Sequence, residues 1–232
     1  MGTDQWLDTA VWPPQRAEEA VFYLQAGGKL SREKPGDSLP DTFLFNPGNP
    51  VPTIGGPEVS YRGGPIKSGP YDQRGFVESR DDVLVYTSNI LENDFTVTGD
   101  IQVRLYVSSD RLDTDIAVRL CDVYPDGRSM LVTDGIRRLR FRDSYTREEL
   151  LEPGKIYAVT IDLPATALTF LKGHQVRISI TSSNYPRFSV NPNNGGTLYT
   201  AGELLIAKNT IYHDAVHLSA VIFMPGRSTA SK

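Results

Sequence analysis

Cysteine occurs once in the 232 residues, at Cys121, so no intrachain disulfide can form and no cysteine-based metal cluster is available. Strand-forming neighbours mark that cysteine as a small buried residue. Histidine is nearly as scarce, limited to His174, His213 and His217. Basic charge is not in excess. The chain has 24 Lys and Arg against 28 Asp and Glu, a formal charge of −4, and this argues against a nucleic-acid partner because phosphate binding needs a basic surface. No run approaches the roughly 18 apolar residues of a membrane span. No basic segment leads into an apolar core at the N-terminus, so no signal peptide is read. The expectation is a cytoplasmic protein without membrane, nucleic acid or cofactor.

Catalytic signatures are missing too. A serine hydrolase of the α/β type needs Gly-x-Ser-x-Gly or a close variant at a strand-to-helix turn. Gly127-Arg128-Ser129 and Gly226-Arg227-Ser228 both lack the second glycine. There is no phosphate-cradling glycine loop. His213 and His217 are four apart, as in half of a metalloprotease motif, but Asp214 rather than Glu follows His213 and the flanking residues suit strand and loop. His174 follows a turn glycine and opens a strand, which fits a structural role. Asp110, Asp113 and Asp115 supply the hard oxygens a calcium loop would use, although strand capping accounts for them as well. Tyr157, Tyr185, Phe188 and Tyr199 are aromatic candidates for a sugar-binding sheet face, and core packing explains most of them.

What the sequence has in quantity is short strands. Ile116, Val118 and Leu120 fall on one side of an extended chain, and Ala117, Arg119, Cys121 and Val123 on the other. Pro125-Asp126-Gly127 turns that strand into a partner over 130–133. Further strand signals are Val21-Phe22-Tyr23-Leu24, Val83-Leu84-Val85-Tyr86, and residues 95–97, 101–107, 136–141, 155–161, 174–180 and 218–224. The basic alternation of Arg137-Arg138-Leu139-Arg140-Phe141-Arg142 suits a strand with one solvated face. Short helical turns are read at 146–150 and 200–207. Many short strands separated by Gly/Pro turns predict an all-β, jelly-roll β-sandwich of galactose-binding type. Residues 1–20 read as an extended docking arm carrying Trp6 and Trp12. Residues 21–225 read as the sandwich and 226–232 as a tail. The Pro/Gly-rich loop 31–70 holds too many apolar groups for a free linker and is expected to be ordered by packing.

Read whole, the sequence resembles the C-terminal β-sandwich of the cocaine-esterase, α-amino-acid ester hydrolase and X-Pro dipeptidyl-peptidase family. The segments that carry this are Gly2-Thr3-Asp4-Gln5-Trp6, Asn49-Pro50-Val51-Pro52 with Gly55-Gly56, and Gly69-Pro70-Tyr71-Asp72-Gln73-Arg74. Others are Arg80-Asp81-Asp82, the 113–127 hairpin, Phe170-Leu171-Lys172-Gly173-His174 and Ser182-Ser183-Asn184-Tyr185-Pro186-Arg187-Phe188 with Asn191-Pro192-Asn193. The resemblance implies a non-catalytic jelly roll that stabilises an α/β-hydrolase core and its helical cap and walls the substrate pocket. The family's serine, aspartate and histidine precede this domain, so no catalytic residue maps onto the chain. It is read as a piece of a longer hydrolase or one part of a split gene. The resemblance places Val59, Ser60 and Tyr61 as pocket-wall candidates, and has Tyr71 to Arg74 fix their loop by hydrogen bonds and ion pairs. The expected partners are the hydrolase and cap domains of the same enzyme, with self-association where that surface is bare. The alternative is a free-standing carbohydrate- or peptide-binding module.

Overall fold

A computed structural model describes residues 1–6, 8–10, 12, 19–57, 67–198, 200 and 202–224. Among these residues eleven strands form: β1 (Ala20–Gln25), β2 (Lys29–Ser31), β3 (Asp41–Phe45), β4 (Leu84–Ser88), β5 (Phe95–Ser109), β6 (Asp115–Val123), β7 (Ser129–Arg138), β8 (Tyr157–Phe170), β9 (Gln175–Thr181), β10 (Ala207–Tyr212) and β11 (Ala220–Phe223). Their hydrogen-bonded path runs β3-β10-β5-β11-β1-β2-β4-β9-β6-β7, with β8 on the other edge of β5. Among the described strands, β2 and β4 alone pair in parallel. Phe43 and Phe45 at one end of this path share a single apolar core with Ile116, Val118 and Leu120 near the other end. The path therefore folds over on itself into two layers, the jelly-roll sandwich read from the sequence.

Alternation explains how the layers face each other. Val103, Leu105 and Val107 of β5, Val159 and Ile161 of β8, and Ile178 and Ile180 of β9 all turn into the shared core. The layers close where β7 crosses β8. At Gly135 a Cβ would lie 2.6 Å from the Asp162 carbonyl oxygen, so only glycine allows the approach.

β6 is buried along its whole length. One face enters the core, as the alternation of Ile116, Val118 and Leu120 requires. The other face is covered by residues 51–57 and 67–83, where Val51, Val77 and Val83 make a second small apolar cluster. This covering strap is fastened by bridges from Pro52 to Tyr185 and from Asp72 to Met130. Within it, Arg74–Glu78 forms a π-helical turn.

Several sequence expectations change. The 31–70 stretch contains β3, so it is not a strandless loop. No helical turn forms at 146–150. Glu148 and Glu149 are instead drawn to Arg140 and Arg142 by ion pairs of 2.9 and 2.6 Å. Nor is there helix among the described residues of 200–207, because Leu205 N–H bonds the Pro192 carbonyl and Ala207 already belongs to β10. The strand expected over 136–141 ends at Arg138 in a 3-10 turn, Leu139–Phe141.

Candidate functional site

The outer face of β6, β7 and β9, roofed by the strap, gathers most of the buried polar chemistry. Arg119 of β6 lies opposite Asp134 of β7 and Ser179 of β9 in the strand register. Its Nη2 donates to the Pro52 carbonyl at 3.2 Å and to Asn184 Oδ1 at 2.9 Å. Asn184 Nδ2 in turn donates to Asp134 Oδ2 at 2.7 Å, and Arg187 Nη1 donates to Asp134 Oδ1. Glu78, from the π-helical turn, accepts from Ser129 Oγ at 2.6 Å and from Arg177 Nη1 at 2.7 Å. Burial pulls the Arg119 guanidinium down to about 10. The same burial pushes the Cys121 thiol up, so it stays protonated and is a poor nucleophile.

At the rim, Asp72 holds Arg74 in a two-point ion pair with contacts of 3.0 and 2.7 Å, and accepts the Ser129 N–H at 3.1 Å. The Arg74 hydrogen bonds hold its carboxyl at about 2. Gln73, fully buried, donates to the carbonyls of Ile54 and Tyr71. The segment 71–74 is thus tied by hydrogen bonds to Ile54 and Ser129 and braced by its own ion pair, with a partly exposed rather than a buried carboxylate. Gly56 and Gly69 exchange two backbone hydrogen bonds, of 3.0 and 2.9 Å, and so join the two ends of the segment between them. Val59, Ser60 and Tyr61 lie on that segment, outside the described residues.

A second constellation was invisible in the sequence. Ser38 Oγ lies 3.0 Å from His213 Nδ1, and His213 Nε2 lies 2.9 Å from Asp41 Oδ2, which also accepts the Tyr86 hydroxyl at 2.7 Å. This is a Ser–His–Asp set, but not one arranged for acyl transfer. The Ser38 hydroxyl also donates to the His213 carbonyl at 3.1 Å, and both ring nitrogens are engaged, Nδ1 with Ser38 Oγ and Nε2 with the Asp41 carboxylate. The Asp41 hydrogen bond raises the pKa of the ring and so favours its protonated form. In that form the ring cannot accept a serine proton. The set ties the segment before β3 to the end of β10 and to β4.

The remaining candidates have local partners. His217 Nδ1 meets Asp214 at 3.0 Å, away from His213, so the two histidines are not brought together as ligands. His174 Nδ1 meets Asp122 Oδ1 at 2.8 Å and packs against Tyr124. Asp110 caps the Lys208 N–H, Asp113 takes Arg140 and Asn191, and Asp115 takes Arg138 and Asn191. Their oxygens thus face N–H donors. Tyr157 lies under Arg142 at 4.3 Å, whereas Tyr185 and Phe188 sit on the 184–188 turn, so no aromatic platform forms from these three. Tyr199 lies outside the described residues. No helix among the described residues is long and apolar enough to cross a membrane.

Comparison with known proteins agrees with this geometry of a rigid scaffold. The family model described as the X-Pro dipeptidyl-peptidase C-terminal non-catalytic domain matches residues 1–222. The cocaine esterase of Rhodococcus sp. (strain MB1 Bresler) is 38% identical over 233 residues, covering 96% of this chain and 40% of the esterase. Among solved structures, an α-amino acid ester hydrolase superposes with a TM-score of 0.84 at 27% identity, over 97% of this chain and 40% of that one. An aminopeptidase from a marine sediment archaeon, Thaumarchaeota archaeon, gives 0.86 at 28% identity, over 98% and 39%. The chain thus spans about 40% of the length of the relatives it matches. It belongs to the family of X-Pro dipeptidyl-peptidase C-terminal non-catalytic domains.

Proposed function

We propose that the chain is the accessory domain of a serine hydrolase acting on esters or amides. It stabilises the α/β-hydrolase core and cap of the same enzyme and walls one side of the substrate pocket. The observation that carries this reading is the match, along nearly the whole chain, to a non-catalytic domain that makes up about 40% of an esterase. The relatives named above are an esterase, an ester hydrolase and an aminopeptidase, which supports that substrate class. Acyl transfer in such an enzyme proceeds through a serine ester with a histidine base.

The chain's own contribution is placement. The strap rests on the buried Arg119–Asp134–Asn184–Arg187 network, and the Gly56–Gly69 pairing holds the base of the segment carrying Val59, Ser60 and Tyr61. Those three residues would wall the acyl side of the pocket.

A chimera tests the proposal. This chain replaces the homologous portion of the Rhodococcus cocaine esterase, and is compared with the esterase truncated before that portion. A chimera with a higher melting temperature and more ester hydrolysis than the truncated enzyme is expected. A chimera no better than the truncated enzyme on both readouts would overturn it.

A further inference from the structure

Asn194-Gly195 is the one Asn-Gly pair in the sequence. Of the other asparagines, Asn46, Asn49 and Asn191 precede proline, which has no N–H. Asn184, Asn193 and Asn209 are buried. Asn89 and Asn93 are exposed, but residues with bulky or charged side chains, Ile90 and Asp94, follow them.

The fold demands both members of the pair. Gly195 has φ +70°, and a Cβ there would lie 2.8 Å from Leu112 Cβ, so only glycine fits. Asn194 Nδ2 donates to the Glu203 carbonyl at 2.9 Å, and its Oδ1 accepts the Gly196 N–H at 2.8 Å. This side chain stitches the 194–196 turn to the stretch that leads into β10. The Gly196 carbonyl in turn accepts from Arg140 Nη1 at 2.9 Å.

The same arrangement brings together the parts of an acyl substitution at Asn194 Cγ. The nucleophile is the Gly195 backbone nitrogen, whose N–H donates to no hydrogen bond among the described residues. The Gly196 N–H already points at Oδ1, where negative charge develops as Cγ is attacked. We propose that Asn194 is a modification site, deamidated spontaneously through a succinimide. The deprotonated Gly195 nitrogen bonds to Cγ, the Cγ–Nδ2 bond breaks, and Nδ2 leaves as ammonia with the proton that Gly195 gave up. Water then opens the ring. Opening at Cγ leaves aspartate, and opening at the backbone carbonyl leaves isoaspartate. One water enters, one ammonia leaves, and nothing is oxidised or reduced. Either product sets a carboxylate in place of the Nδ2 donor, against the Glu203 carbonyl oxygen, so the stitch opens. The inference does not depend on the accessory-domain reading.

The test uses the full chain. It is aged in mildly alkaline buffer at physiological temperature beside a synthetic peptide of residues 190–198. Conversion is followed by mass spectrometry of proteolytic fragments, and isoaspartate is identified by enzymatic carboxyl methylation. Conversion of Asn194 in the folded chain is expected at no less than about a tenth of the peptide's rate, and ahead of Asn89 and Asn93. A slower rate, or earlier conversion of either of those two, overturns the proposal. The aged chain and Asn194→Asp should both melt about 2–4 °C lower than the fresh protein. An unchanged melting temperature in either overturns the opening of the stitch. If Asn194→Asp does not fold, the aged wild-type chain decides that point alone.

Discussion

Asp41 and His213 show how single residues far apart in sequence set the conditions under which this fold is stable. The His213 hydrogen bond holds the Asp41 carboxyl below its ordinary 3.8, and the same bond holds His213 above its ordinary 6.5. The histidine's contribution to stability is complete below pH 6.5 and is lost as pH rises through its raised folded value. The aspartate's contribution is complete above pH 3.8 and is lost as pH falls through its depressed folded value. The pair therefore stabilises most between those limits. Melting temperature measured against pH should fall on the alkaline side of this window, and His213→Gln should flatten that limb. An identical alkaline slope in the variant would refute the pairing. Asp134 tests the other cluster. Its carboxylate is nearly inaccessible and serves both Arg187 and Asn184. Asp134→Ala strands a buried guanidinium and should cost about 3–5 kcal/mol in denaturant unfolding, whereas a loss below about 1 kcal/mol, the range of surface pairs, would mean the network is solvated.

At the scale of elements, the β6–β7 hairpin was legible because period-two alternation runs up to Pro125-Asp126-Gly127, a turn with its own backbone requirement. β8 was legible only in its first half. It continues to Phe170 through Pro164, beyond the 155–161 that the sequence signals mark. Proline is tolerated there because, among the described strands, β8 joins the backbone ladder only through β5, and the register shifts beside Pro164, opposite Gly99 and Ile101. The double burial of β6 was not legible either. Its cover comes from the strap, whose Gly/Pro composition has no period, and Arg119 in the alternation was the one sign that the second face is polar and enclosed. The Ser38–Asp41–Tyr86–His213 set left no local signal, since β-pairing brings together residues up to 175 apart. Contact between layers gives a direct test. Gly135→Ala would push a methyl group against backbone at Asp162 and against Leu163, and should destabilise by about 1–3 kcal/mol. An unchanged melting temperature would mean that β7 does not close over β8.

The molecule as a whole carries apolar surface that an isolated domain has no use for. Trp6 is fully exposed and Trp12 more than half exposed, and Leu39, Phe76, Ile90 and Val216 are each over 60% exposed. Scattered exposed apolar residues are ordinary, but this number of large ones suits a domain that docks onto other parts of an enzyme. The free chain should therefore self-associate as its concentration rises, as seen by light scattering after sizing. Replacing both tryptophans by Ala should weaken that association without lowering the melting temperature. A monomeric wild-type chain at high concentration, or a large stability loss in the double variant, would contradict the docking role.

The central claim is that this domain supports catalysis without performing it. The most direct measurement is labelling of the purified chain with a fluorophosphonate, which reacts with activated serines, alongside Ser38→Ala as a control. The account predicts no labelling of either protein, because His213 is buried and the Ser38 hydroxyl donates to a backbone carbonyl instead of being poised as a nucleophile. Stoichiometric labelling at one serine, lost in Ser38→Ala or retained elsewhere, would contradict it.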